Sequence, residues 1–144
     1  MLLESSRNGG ATGNETGRRL RVLVIDDEPA IGTALKRALR READVDLCSN
    51  ARADLSRIQA EPVYDVILCD MMMPGMTGME LYEELRKSAP AIARRLIFVT
   101  GGACSPEAEA FLCRAEAPHL SKPFEVLDLQ KMMGEVVARE GHAG

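Results

Sequence analysis

At 144 residues, 46% of them hydrophobic and 28% charged, the chain fits one compact domain around one core. Its formal net charge of -4 excludes the basic excess that unaided nucleic-acid binding requires. The apolar runs are far shorter than a membrane span and the polar opening segment lacks the apolar stretch of a secretory signal, so the chain is not read as inserted in a membrane and a cytoplasmic location is expected.

Met1 to Arg19 (MLLESSRNGGATGNETGRR) has no hydrophobic periodicity and is rich in Gly, Asn, Ser and Thr, which predicts a disordered leader or linker. From residue 20 to about residue 140, short β-rich apolar runs alternate with stretches of helical period. That alternation is the pattern of an α/β domain, a parallel sheet covered by helices, and five such units can be counted. Leu20 to Ile25 (LRVLVI) is nearly continuously apolar, as a strand buried on both faces must be. Pro29 to Arg41 follows as a helix with Ile31, Leu35, Ala38 and Leu39 on its apolar stripe and Lys36, Arg37, Arg40 and Arg41 on a solvated face. A weak strand around Val45 to Ser49 and a short helix around Arg52 to Ala60 lead to a second strong strand, Asp65 to Cys69, that stops at Asp70.

Met73-Pro74-Gly75-Met76-Thr77-Gly78 reads as a loop, and a helix is expected from about Met79 to Lys87. Leu96 to Val99 forms the fourth strand and ends at Thr100-Gly101-Gly102. Ser105-Pro106-Glu107 has the form of a helix cap and first turn. A short strand near His119 to Ser121 precedes Lys122-Pro123. The closing helix, Glu125 to Arg139, carries Leu129, Met132, Met133, Val136 and Val137 on its apolar stripe, and residues 141–144 read as a flexible tail. Cys48, Cys69, Cys104 and Cys113 form no C-x-x-C pair and find no suitable partners in His119 and His142, so they read as buried free thiols and not as a zinc site.

Asp26-Asp27, Asp70, Thr100 and Lys122 each fall just past the end of a predicted strand. In an open α/β sheet the ligand crevice lies outside the carboxyl ends of the strands, so these residues are expected at one edge. Each has a plainer job available: the acid pair caps a helix, Asp70 opens a turn, Thr100 bonds a loop, and Lys122 is solvated. Four such groups at successive strand ends are hard to explain that way together. Crowded carboxylates repel unless a cation neutralises them, and oxygen-only donors with an incomplete protein shell point to Mg²⁺ or Mn²⁺. Beside such a cation Asp70 is placed to act as a nucleophile toward phosphorus, with Lys122 and Thr100 offering a charge and a hydroxyl to the phosphoryl oxygens.

Through Val22-Leu23-Val24-Ile25-Asp26-Asp27-Glu28, the run Asp70 to Gly78, Phe98-Val99-Thr100-Gly101-Gly102 and Leu120-Ser121-Lys122-Pro123-Phe124, the chain resembles the response-regulator receiver family from about Leu20 to Arg139. The resemblance implies a flavodoxin-like (CheY-like) doubly wound five-stranded parallel sheet of order 2-1-3-4-5 with helices on both faces. It implies that Asp26 and Asp27 are the metal pair, that Asp70 is phosphoacceptor and metal ligand, and that Met72 gives its backbone carbonyl to the metal. Thr100 would be the switch hydroxyl and Lys122 the phosphate partner, with the Lys122-Pro123 bond cis. It also implies a two-component partnership: phosphoryl transfer from a histidine kinase or phosphotransfer protein, and conformational control of a downstream effector, by a switch that catalyses only its own modification. Receivers usually carry Tyr or Phe three residues before the lysine, where this chain has His119. His119 has three available roles: swinging inward in place of the aromatic ring, conferring pH sensitivity, or standing as an exposed strand residue, the reading preferred here. A docking receiver that works without phosphorylation is the nearest rival. A metal-dependent aspartyl-phosphate phosphatase is a weaker one, since its D-x-D-x-[TV] pattern fits neither acidic segment. The loop phrasing and Gly-rich leader are also similar to receivers at the C-terminus of hybrid histidine kinases.

Overall fold

The structure, a computed structural model, describes residues 19–60, 64–73, 75–101 and 105–143. The expected leader lies outside these residues except for Arg19, as do Pro74, Gly102 and Cys104 of the predicted loops and thiols. Arg19 belongs with the domain: its Nε donates to Asp44 Oδ1 at 3.0 Å, and its guanidinium also reaches the Ala43 carbonyl at 2.8 Å.

In chain order the elements are β1 (Leu20–Ile25), α1 (Pro29–Ala38), β2 (Ala43–Cys48), α2 (Ala51–Ala60), β3 (Val66–Asp70), α3 (Gly78–Ser88), a four-residue turn of helix α4 (Pro90–Ala93), β4 (Leu96–Gly101), α5 (Pro106–Ala115), β5 (His119–Lys122) and α6 (Val126–Ala143). The strands form one five-stranded sheet of order β2-β1-β3-β4-β5, and every pairing is parallel. This is the flavodoxin-like order expected from the resemblance.

Strand periodicity explains the two cores. Successive residues point to opposite faces, so a strand covered on both sides must be apolar at every position. Leu23, Ile25, Ile67, Cys69, Leu96 and Phe98 pack on one face with Ile58 of α2, Leu81 and Leu85 of α3 and Phe111 of α5. Val22, Val24, Val66, Leu68, Ile97 and Val99 pack on the other with Leu35 of α1 and Leu129, Met133 and Val136 of α6. Phe98 meets Phe111 edge-on at 5.5 Å between ring centroids, which ties β4 to α5.

The departures from expectation are largest in three helices. Helix α1 stops at Ala38, because the Leu39 carbonyl accepts from Glu42 and Ala43 and closes the turn into β2. Helix α4 was not foreseen: four residues are too few for a periodic signal, although Pro90 suits a first helical position. Helix α6 continues to Ala143, so the tail read from residue 141 is helical up to that point. A single Gly inside a helix costs only about 1 kcal/mol, and Gly141 is no obligatory stop. Among the described residues no helix is long and apolar enough to cross a membrane.

Candidate functional site

The acid pair follows β1 directly. Asp26 is 7% exposed, and its backbone N–H still donates to the Cys48 carbonyl of β2 at 3.0 Å, so its position is set by the sheet. Its Oδ1 accepts from the Glu28 backbone N–H at 2.8 Å, a local turn that aims the other oxygen, Oδ2, toward Lys122. Asp27 beside it is exposed.

Asp70, 8% exposed, is the last residue of β3, and Thr100 and Lys122 also lie within the final residues of their strands. The ladder therefore runs slightly further than the apolar runs, because backbone pairing does not need an apolar side chain. Asp70 Oδ1 accepts from the Met72 backbone N–H at 3.1 Å. The loop beyond it folds back tightly. Gly75 takes a left-handed φ of +84°, and Gly78 comes so close that a Cβ there would stand 3.1 Å from the Asp70 carbonyl oxygen and 3.0 Å from Met71 Cα. The Gly78 N–H donates to the Met71 carbonyl at 3.0 Å, which locks the close approach. Thr77 and Glu80 then form a reciprocal capping box that starts α3.

Lys122 closes the cluster from β5. Its Nζ lies 3.3 Å from Asp26 Oδ2, 3.5 Å from Asp70 Oδ2 and 3.8 Å from Glu28 Oε1. The Lys122–Pro123 peptide is cis. Burial on its own would lower the Lys122 proton affinity, but Asp70, Asp26 and Glu28 outweigh it and hold the ammonium above its ordinary value. Burial pushes Asp70 above the usual carboxylate range, opposed by the Met72 N–H and the Lys122 charge. One ammonium thus serves several carboxylates, a deficit of positive charge.

Asp26, Asp27 and Asp70 each bring a carboxylate oxygen within 4.8 Å of the others. This donor set fits a hard divalent cation: it is all oxygen, it converges, and Lys122 alone undercompensates it. The sequence-predicted residues Asp26, Asp27, Asp70 and Lys122 are therefore brought together. Met72 is 58% exposed and adjoins Asp70. Thr100 is buried at the same sheet edge, but its hydroxyl is turned to β5, 3.3 Å from Ser121 Oγ and 3.5 Å from the Leu120 carbonyl oxygen. His119 is exposed, with Nδ1 3.2 Å from the Ala117 carbonyl oxygen. Sequence reasoning passed over Glu28, whose only signal was its place after the acid pair. It also passed over Ser121, which strand register alone sets opposite Thr100. Of the thiols, Cys48 and Cys69 are buried as expected, whereas Cys113 is exposed.

Residues 22–134 match the family described as the response regulator receiver domain. The hydrogenase transcriptional regulatory protein HoxA of Cupriavidus necator is 43% identical over 76 residues, 53% of this chain and 16% of HoxA. The transcriptional regulatory protein TrcR of Mycobacterium tuberculosis is 26% identical over 127 residues, 88% of this chain and 48% of TrcR. The chain therefore spans less than half the length of these two relatives. A crystal structure of a CheY-like response regulator receiver domain protein from Methanospirillum hungatei JF-1 superposes with a TM-score of 0.77 at 30% identity, covering 88% of this chain and all of that one.

Proposed function

Because the chain belongs to the response regulator receiver domain family, we propose that Asp70 accepts a phosphoryl group from the phosphohistidine of a histidine kinase or phosphotransfer protein, and that the modified domain regulates a partner protein. The observation that carries this reading is the convergence of Asp26, Asp27 and Asp70 within 4.8 Å, with Lys122 Nζ 3.5 Å from Asp70 Oδ2.

Asp70 is the nucleophile. One of its oxygens forms the new bond to phosphorus while the P–N bond to the kinase imidazole breaks, and the ring, already protonated on its other nitrogen, leaves with that electron pair as neutral imidazole. The Met72 N–H on Oδ1 orients the carboxylate for attack. Lys122 already stands beside Oδ2 and supplies a positive charge to the incoming phosphoryl oxygens. Thr100 donates its hydroxyl to another of those oxygens after turning from β5. Asp26, Asp27 and Asp70, with the Met72 backbone carbonyl, would hold Mg²⁺ or Mn²⁺, which offsets the repulsion between attacking carboxylate and phosphoryl group. The chemistry is stoichiometric: the domain is a switch, and its cytoplasmic location follows from the ATP-fed kinase that supplies it.

Incubation of the full chain with Mg²⁺ and acetyl phosphate, read by mass spectrometry, tests this. One added phosphoryl group is expected in the wild type and none in Asp70→Ala. Continuous turnover of a small phosphate ester, or a modification that survives in Asp70→Ala, would remove the reading.

A further inference from the structure

We propose that Ser121 is a positioning residue of the switch, its hydroxyl holding the Thr100 hydroxyl toward β5 and away from Asp70 until a phosphoryl group arrives; the inference rests on the phosphoacceptor reading above. Parallel register sets Thr100 of β4 opposite Ser121 of β5. Thr100 is only 4% exposed, and a hydroxyl so buried needs a hydrogen-bond partner. Both hydrogen-bond partners of that hydroxyl among the described residues lie on β5: Ser121 Oγ at 3.3 Å and the Leu120 carbonyl at 3.5 Å.

The surroundings leave the task to Ser121. A cavity of about 280 Å³ opens beside Thr100 and is lined also by Glu109, Leu112, Cys113, His119 and Ser121. The His119 ring has its Nδ1 against the Ala117 carbonyl and makes no bond to the Thr100 hydroxyl. Ser121 is therefore the side chain in the cavity wall that bonds it.

The length of the contacts matters. Hydroxyl hydrogen bonds cluster near 2.7–2.8 Å and weaken as they lengthen, and both of these are longer. The latch is weak. A charge-assisted bond from Thr100 to a phosphoryl oxygen is roughly twice as strong as a neutral one, so the phosphoryl group outcompetes it. A ligand that binds the inward conformer pays for the fraction held outward, and removing the Ser121 hydroxyl reduces that fraction.

Beryllofluoride with Mg²⁺, which mimics an acyl phosphate on a carboxylate, is the probe, and its binding to the full chain is followed by ¹⁹F NMR. Ser121→Ala is expected to bind about threefold more tightly than wild type, the effect of one long neutral hydrogen bond. Ser121→Thr, which keeps the hydroxyl, should return to the wild-type affinity. In a Thr100→Val background Ser121→Ala should change nothing. Unchanged or weakened binding in Ser121→Ala overturns the inference, as does an equal gain in the Thr100→Val background, which would place the effect elsewhere. Ser121 is exposed and the Leu120 carbonyl remains for Thr100, so the alanine variant should fold. Wild type that binds beryllofluoride while the variants fail to respond sinks this inference alone. Wild type that neither binds it nor takes phosphoryl at Asp70 sinks the phosphoacceptor reading as well.

Discussion

Cys48 ends the edge strand β2 with its thiol buried, donating to the Asn50 carbonyl at 3.4 Å. Burial, helped by the neighbouring Asp54 carboxylate, pushes its pKa from 9.0 up to about 11. The folded state then keeps a proton that the unfolded chain gives up. The stability this contributes is complete below pH 9 and is lost as pH rises toward 11, a fall on the order of 2–3 kcal/mol. Urea denaturation at pH 8 and pH 10.5 should show a shallower loss in Cys48→Ala than in wild type. Some slope should persist, because burial also raises Cys69. The burial of Cys48 and Cys69 was legible in the sequence, since Cys69 sits in an apolar run and Cys48 in a strand. The exposure of Cys113 was not, because α5 carries its apolar stripe on Ala108, Phe111 and Leu112 and a single Cys says nothing of the side it takes. The same limit hid Ser121, whose bond to Thr100 depends on the register of two strands distant in the chain.

Between residue and fold stand the turns that feed each helix. Two were readable from capping chemistry: Pro29 and Ser105-Pro106 begin α1 and α5, and Ser105 accepts from the Ala108 N–H at 3.1 Å. Thr77 caps α3, but the sequence showed Thr77 and Gly78 only as loop. In the structure Gly78 is the first residue of α3, and its missing side chain lets that helix start against the backbone at the end of β3. A Cβ would lie 3.0 Å from Met71 Cα, 3.1 Å from the Asp70 carbonyl oxygen and 3.3 Å from Phe98 Cδ1. The first two neighbours are backbone and cannot rotate away, and Phe98 is fully buried. Gly78→Ala should therefore destabilise the fold by about 1–3 kcal/mol, the range for overpacking, although alanine is the better helix former. A chemical-denaturation midpoint at or above the wild-type value would show that the loop relaxes freely.

At the scale of the molecule, the order β2-β1-β3-β4-β5 sets β1 beside β3 and so puts Asp26, Asp27 and Asp70 at one sheet edge. That edge was legible because strongly apolar runs mark strand ends and parallel strands share a direction. The pairwise distances were not, since they depend on the local turns that orient Asp26 and Asp70 and on Lys122 reaching across from β5. The assembly carries a stability consequence. Asp70, raised by burial, is disfavoured as a carboxylate in the folded state relative to the unfolded chain, so at neutral pH its charge opposes folding. Asp70→Asn removes that charge, its side-chain oxygen can still accept from the Met72 N–H, and Lys122 keeps Asp26 and Glu28. In chelator-treated buffer the variant should be more stable than wild type by about 1 kcal/mol, as expected where a functional group is held against the fold's own interest. Adding Mg²⁺ should reverse the order. The acidic cluster exists only when β1 and β3 are paired, so a cation bound there stabilises the whole domain, by about 2.7 kcal/mol at one hundred times its dissociation constant. Urea midpoints measured with and without Mg²⁺ should rise for wild type and stay nearly level for Asp70→Asn. Parallel responses in the two proteins would mean that the cation binds somewhere other than this sheet edge.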